Sequence, residues 1–523
     1  MHEATVDTPA PAAPVGLTTG RPVDTGDLVI VSNRLPVRRV VRGGVARWDS
    51  SPGGLVTALR PMLSRREGRW IGWPGFAGDV PAPFRHDHVD NYPLAISREE
   101  QRGFYEGFCN RTLWPLYHDA IRSPEFRPSW WSHYVEVNRR FAAAAADASS
   151  PGGTIWIHDY QLQMAPAMAR ELQPRARIGF FLHIPFPPAA LFAQLPWRKA
   201  ILEGLLGADV IGFQTADDAR NFREAAVQMT GARESGCTLR FDERRILACE
   251  FPISIDVSMY ERLAEAPRVH RRVADLQRRL GEDRKILLGI DRLDYTKGIE
   301  HRLRAFREAL QSQRLSAASA VFVQVAVPSR ERVLEYRELK AHVERLVGEI
   351  NGEFGSVGRV AVHYLHRGVP PEELVALYRA AHAMIVTPLR DGMNLVAKEY
   401  VAARTDERGV LILSEFAGAA HELTDAILVN PHNIDGMSAA MEQALRLTET
   451  EQALRMRRMR RIVRRNDVHH WARAFLDALA GLSTPAGRSG HVSRADLGDV
   501  EGEPPETIVT SRKAERPSRP LVA

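Results

Sequence analysis

Short apolar runs recur along the chain, with helix-like segments between them. They are Leu28–Val31, Thr154–Ile157, Ile178–Leu182, Val210–Phe213, Ile286–Ile290, Val321–Val325, Met384–Val386 and Val410–Leu413. Such short, almost wholly apolar runs are the pattern of strands buried on both faces. Strands alternating with helices predict parallel sheets covered by helices. The runs fall into two groups. They predict an α/β fold of two Rossmann-like domains facing a cleft, one over 27–255 and one over 256–466, with Pro252-Ile253-Ser254-Ile255 as the hinge. Residues 467–482 predict a last helix. Residues 1–26 carry Pro9, Pro11, Pro14 and Pro22 and predict a flexible arm, and 483–523 predict a disordered tail.

Polar residues gather just after the predicted strands. Asn33-Arg34 follows one, His158-Asp159 another, His183 a third, Asp291-Arg292 a fourth and Asp391 a fifth. Ligands of open parallel sheets bind at the carboxyl ends of the strands. One such placement is ordinary loop polarity. Five of them predict a shared cleft.

The stretch from Met384 to Arg404 concentrates this signal. Met384–Val386 reads as a strand, Thr387–Gly392 as a loop and Met393–Ala403 as a helix. The first amides of a helix lack intrahelical partners, and the dipole makes that end an anion site. Glu399 follows Leu395 and Val396 by four and three positions and so shares their apolar face. A carboxylate there needs a hydrogen-bonding partner. The bland alternative is a helix-capping Asp391 and a Glu399 in a local ion pair.

Composition narrows the classes. The 523 residues are 44% hydrophobic and 26% charged, as in ordinary globular proteins, and the length favours two domains. The net charge of +6 is small for this length and gives no nucleic-acid signature. No window of about 18 apolar residues occurs, so no membrane span is expected. Cys109, Cys237 and Cys249 have no metal-ligand spacing and predict reduced thiols in a cytoplasmic protein. Lysines are six in all, which makes Lys297, close to Arg292 and Tyr295, a candidate point charge.

Four further groups carry candidate chemistry. In Asp291–Gly298, Arg292 and Lys297 could meet one diphosphate from two sides, the arginine as a fork and the lysine as a point charge. The bland reading is a solvated ion-pair loop. Gly53-Gly54 would let backbone approach a ligand at a helix start; by itself an ordinary Pro-Gly turn is the favoured reading, and Arg34 close by brings in a phosphate or diphosphate. Trp73, Tyr105, Trp114 and Tyr117 crowd the first domain; most aromatics are core, but sugars stack on aromatic faces. His183 follows an apolar run, where a lone histidine is usually a satisfied core residue.

Taken together, these strings resemble the retaining sugar-nucleotide glycosyltransferases of the trehalose-6-phosphate synthase family. Asp391-Gly392-Met393-Asn394-Leu395-Val396 with Lys398-Glu399 is similar to the family's donor signature, and Arg292-Leu293-Asp294-Tyr295-Thr296-Lys297-Gly298 to its diphosphate turn. Ser32–Pro36, Ser51–Leu55, Ile71–Gly75, Tyr105–Pro115, Trp156–Tyr160 and Phe180–Pro187 match as well, so the likeness runs from about 27 to 480. Arg111 departs from the smaller residue expected there.

The resemblance implies a two-domain GT-B architecture and a set of roles. A nucleoside diphosphate-glucose would lie on Gly53, Gly54, His183, Arg292, Lys297, Asp391, the amides of Gly392, Met393, Asn394, Leu395 and Val396, and Glu399 at the ribose. Glucose 6-phosphate would lie on Arg34, Trp73, Tyr105, Trp114, Asp159 and Arg330, with both arginines on its phosphate. Asp159, His183, Arg292, Lys297 and Asp391 would carry the chemistry. The product would be α,α-trehalose 6-phosphate, formed with retention by front-face attack, the leaving phosphate taking the acceptor's proton. No cofactor, metal, nucleic acid or membrane partner is implied, and the last helix would return to the first domain. The donor base (uridine, adenosine or guanosine) and self-association into a homo-oligomer stay open.

Three rivals share the pattern. A sister transferase would use another phosphorylated acceptor, such as glycerol 3-phosphate. A phosphorylase would need a buried lysine for pyridoxal phosphate, for which Lys398 is the candidate. A non-catalytic homologue would be expected to have lost the donor-site charges, yet Arg292, Lys297, Asp391 and Glu399 are all present.

Overall fold

Burial on both faces selects the central strands. Leu28–Arg34 (β1) is buried over its first six residues, and Thr154–His158 (β7) and Val210–Phe213 (β9) throughout. A computed structural model provides the structure and describes residues 28–42, 45–50, 56, 59, 68–330 and 333–481. The predicted arm and tail, and Gly53 and Gly54 of the expected donor site, lie outside the described residues.

The first sheet adds Gly68–Trp73 (β4), Phe84–His86 (β5), Val89–Pro93 (β6), Arg177–Phe181 (β8), Arg233–Ser235 (β10), Thr238–Phe241 (β11) and Arg244–Glu250 (β12). Its order is β10-β11-β12-β9-β8-β7-β1-β4-β6-β5. Pairing is parallel from β12 to β6, with antiparallel hairpins at both edges. Val37–Arg42 (β2) and Val45–Ser50 (β3) form a separate antiparallel ribbon. The second sheet runs β15-β14-β13-β16-β17-β18, all parallel. Its strands are Lys285–Arg292 (β13), Ala320–Val327 (β14), Val362–Leu365 (β15), Ala383–Val386 (β16), Val410–Ser414 (β17) and Ile427–Val429 (β18). The mixed α/β architecture with large parallel sheets is the expected fold class.

Differences from the sequence reading have local causes. The helix expected from Met393 spans Leu395–Ala403, because Asn394 adopts φ +73° and its side chain caps the Ala397 amide at 3.3 Å. The edge strands escaped because they are polar: every residue of β10 is exposed. Strand β4 (GRWIGW) opens with glycine and arginine and holds a second glycine, which breaks the apolar run.

The chain passes from the first sheet to the second through Phe251–Ile255. Buried Lys398 donates to the Ile253 carbonyl at 2.9 Å and pairs with Glu422. Its amine is thus engaged in holding the crossing segment. Helix Val468–Leu479, capped by Asp467, lies against the first sheet, where Phe475 stacks on Trp156 with centroids 4.6 Å apart. Phe475 fits because position 179 on β8 is glycine; a Cβ there would come within 2.6 Å of the ring. Among the described residues no helix is long and apolar enough to cross a membrane.

This contact predicts that Phe475→Ala costs about 3–5 kcal/mol through the cavity it leaves. Gly179→Ala should cost about 1–3 kcal/mol through overpacking. Calorimetric melting checks both; wild-type melting of Phe475→Ala would contradict the packing described.

Candidate active site

The acceptor side begins at the end of β1. Arg34 leaves the sheet with its guanidinium 4.2 Å from the Trp73 ring centroid and 5.4 Å from that of Tyr105. Trp73 is held by its own indole N–H, which donates to the Phe76 carbonyl at 2.7 Å. Tyr105 comes from an unusual element, the π-helix Gln101–Leu113, an irregularity that often marks functional sites. Trp114 follows on the short helix Trp114–Tyr117, and its indole Nε1 is buried without a partner among the described residues.

The second sheet delivers Arg330 to the same place. After β14 the chain turns with Arg330 at φ +50°, and its guanidinium lies 3.8 Å from the Trp114 ring centroid. Arg330 donates to Asp294 Oδ2 at 2.8 Å, to the Tyr336 hydroxyl, and across the domains to the Tyr160 hydroxyl at 3.1 Å. Burial and three cations compete at Tyr105. Burial raises its hydroxyl, but Arg330, Arg34 and Arg292 win and hold it below the ordinary 10. Burial likewise opposes Asp294, whose neighbours Arg330, Lys297 and Arg292 hold it at about 2.

Asp159 and His183 lie just past the ends of the adjacent strands β7 and β8. Asp159 has φ +76°, and its Oδ1 accepts the His183 amide at 3.1 Å. Burial lifts its carboxyl to about 6, against the pull of two backbone amides and of Arg292 and Arg330. Burial drives the His183 imidazole down to about 3, so it is neutral near pH 7. Its Nε2 lies 3.2 Å from Nδ1 of buried His158.

On the donor side Lys297 Nζ donates to Asp391 Oδ2 at 2.6 Å, and Asn394 Nδ2 donates to the same oxygen at 3.0 Å. Burial opposes the Asp391 charge, yet Lys297 keeps its carboxyl below the ordinary 3.8. The helix-capping reading of Asp391 is therefore replaced by this pair, and Asn394 is the cap. Arg292 differs from Lys297: it is exposed in the cleft and has no ion pair among the described residues. Buried Arg302 pairs with Asp291 at 2.7 Å and donates to Ile385 O at 3.1 Å, bracing the turn from behind.

Gly392 must be glycine, since a Cβ there would lie 2.5 Å from the His183 carbonyl of the first domain. The amides of Gly392, Met393 and Leu395, at the start of this helix, have no acceptor among the described residues. Leu395 and Val396 are half-buried. Glu399 is also half-buried; the Tyr378 hydroxyl donates to it at 2.8 Å, and burial raises its carboxyl against Tyr378 and Tyr260.

The structure thus brings Arg34, Trp73, Tyr105, Trp114, Asp159, His183, Arg292 and Arg330 to one cleft, with the Lys297–Asp391 pair facing it. Sequence reasoning missed the supporting Tyr160, Asp294 and Tyr336. Two of these sat inside quoted motifs, but only the fold pairs them with Arg330. It also missed His118, which carried no motif of its own.

The chain matches known proteins over most of its length. The glycosyltransferase family 20 model matches residues 26–481. The trehalose-6-phosphate synthase of Mycobacterium sp. strain KMS is 52% identical over 464 residues, covering 87% of this chain and 95% of that protein. An α,α-trehalose-phosphate synthase (UDP-forming) from Burkholderia xenovorans, solved in complex with glucose-6-phosphate, is 35% identical with a TM-score of 0.80, covering 87% and 100% of the two chains. An Escherichia coli protein solved with UDP-2-fluoro glucose is 32% identical with a TM-score of 0.79, covering 86% and 98%.

The lifted Asp159 carboxyl makes a signed prediction. Below about pH 4 the group is protonated in both folded and unfolded chains and costs nothing. Above about pH 6 the folded state holds a buried carboxylate that the unfolded chain keeps in water. The distance from 3.8 to about 6 corresponds to about 3 kcal/mol against folding. Asp159→Asn keeps an oxygen for the His183 amide and removes the charge. It should melt above wild type at pH 7–8, lose that advantage toward pH 4, and lose activity. A pH-independent difference in melting would contradict this.

Proposed function

The chain belongs to glycosyltransferase family 20, and we propose that it transfers glucose from a nucleoside diphosphate-glucose to glucose 6-phosphate with retention, giving α,α-trehalose 6-phosphate. The carrying observation is the convergence of Arg34 and Arg330, from separate sheets, beside Tyr105 and the Trp73 and Trp114 rings. Two guanidinium forks and a tyrosine hydroxyl suit a dianionic phosphate, and the indole faces suit a sugar ring. This support favours a phosphorylated hexose over a smaller phosphorylated acceptor.

In this reading the first-sheet half, 27–255, binds the acceptor and the half over 256–466 binds the nucleotide sugar. The unpartnered Arg292 takes the departing diphosphate, with the amides of Gly392–Val396 around it. Lys297 orients Asp391, which is left as a carboxylate for donor-sugar hydroxyls, and contributes positive charge at the leaving group. Glu399 takes the ribose. Neutral His183 contacts the donor sugar. Asp159 is tied by the His183 amide and lies on the acceptor side, which suits charge stabilisation rather than nucleophilic attack. The acceptor hydroxyl attacks the anomeric carbon on the face the diphosphate leaves, and its proton passes to the leaving phosphate oxygen. Three free thiols fit a reducing cytoplasm.

Initial rates and product identification with UDP-, ADP- and GDP-glucose test the reaction; no disaccharide phosphate from any of them would refute it. Arg292→Ala should lower kcat/KM by about 10²–10³-fold, the loss of about 3–4 kcal/mol of leaving-group stabilisation. The Arg34→Ala, Arg330→Ala double variant should lose most of the preference for glucose 6-phosphate over glucose while still binding nucleoside diphosphate. An unchanged preference would place the phosphate elsewhere.

A further inference from the structure

His118 is a buried, chemically defined group that the roles above leave unused. It ends the short helix that carries Trp114, and it is 1% exposed. Its ring lies 4.2 Å, centroid to centroid, from the Trp114 ring. Its Nδ1 lies 2.8 Å from the Trp114 carbonyl oxygen. A carbonyl only accepts, so Nδ1 carries the hydrogen and Nε2 presents a bare lone pair. That Nε2 is buried with no hydrogen-bond partner among the described residues. Because Nδ1 points back into its own helix, Nε2 faces away from it.

The donor motif of the other domain packs beside this turn. Asp119, the next residue, has φ +55° and its Oδ2 lies 3.4 Å from Nε of Arg390. Arg390 also reaches Asp218 Oδ1 at 3.6 Å. Arg390 immediately precedes Asp391, so two consecutive residues of the first domain oppose two consecutive residues of the donor loop. Lys297, Asp294 and Asp391 are the charged groups within electrostatic reach of the His118 ring. Burial holds the imidazole down at about 4, which leaves it neutral and its Nε2 free to accept.

We propose that His118 Nε2 accepts a hydrogen bond from one hydroxyl of the donor hexose, and so is a specificity-determining contact made from the acceptor domain. The Asp119–Arg390 pair holds the turn against the donor loop. An acceptor lacking any hydrogen selects for a hydroxyl and against an ether or a missing hydroxyl, because the buried nitrogen is then left unpaired. The same helix places Trp114 on the acceptor, so one short element touches both substrates.

The role given to His118 rests on the donor-site reading above, and the test separates the two. Donor kcat/KM is measured with nucleoside diphosphate-glucose and with its 2-, 3-, 4- and 6-deoxy analogues, for wild type, His118→Phe and His118→Gln. Calorimetry with nucleoside diphosphate alone checks each variant's fold and its diphosphate site. His118→Phe should bind nucleoside diphosphate like wild type, lose about 10- to 100-fold in kcat/KM with the full donor, and no longer discriminate against one of the deoxy analogues. His118→Gln, which keeps an acceptor, should retain most of that discrimination, and His118→Leu, which has no acceptor either, takes the place of the Phe variant if that one does not fold. If both variants keep every deoxy penalty of wild type, a buried water or another group satisfies Nε2 and the proposal is overturned. If wild type itself fails to bind nucleoside diphosphate, the donor-site reading falls and the proposal with it.

Discussion

A buried guanidinium holds the two halves of the site in register. The Arg330 side chain is 5% exposed and that of its partner Asp294 is fully buried. Taking two such charges out of water costs several kcal/mol per ion, returned only where geometry and further hydrogen bonds are good. Here Tyr336 completes the pair within its own domain, and Tyr160 and the Trp114 face meet it from the other. Asp294 carries the constraint onward: its Oδ1 accepts both the amide and the hydroxyl of Thr296 at 3.0 Å, which fixes the turn bearing Lys297. Lys297 in turn fixes Asp391. One chain of charge-assisted bonds therefore runs from the acceptor pocket to the donor loop.

That chain divides labour between residues of like charge. Lys297 spends its charge on Asp391 and acts mainly through it. Arg292, free in the cleft and 5.9 Å from the Trp114 ring centroid, remains to meet an incoming anion. Arg302, fully buried, belongs to the scaffold. Burial sorts the titrating groups in the same way. It keeps His183 neutral and lifts Asp159, while the cations around Tyr105 and Asp294 overcome it. The cleft is thus strongly cationic on the acceptor side before any ligand arrives.

Much of this was legible in the sequence. The buried central strands announced themselves as apolar runs, because parallel strands covered on both faces have no polar side to show. The short contiguous motifs named most of the cleft residues. What stayed hidden depends on contacts between distant segments. Strands β10 and β2 are polar or arginine-rich and carry no run. Asp294 and Tyr160 sat in view, but their pairing with Arg330 spans 36 and 170 positions. The start of the donor helix moved by two residues because Asn394 tolerates a left-handed backbone and can cap from it. His118 carried no motif of its own, and its Nε2, unpaired among the described residues, shows only in the fold.

The central claim is that two arginines, Arg34 and Arg330, hold the acceptor's phosphate as a dianion. Phosphorus NMR of glucose 6-phosphate bound to the enzyme, titrated across pH, measures this directly. A free phosphate monoester loses its second proton near pH ~6. Guanidinium forks favour the fully ionised form, so the bound phosphate should titrate at least about one unit lower. A bound phosphate that titrates at or above the free value would contradict the account.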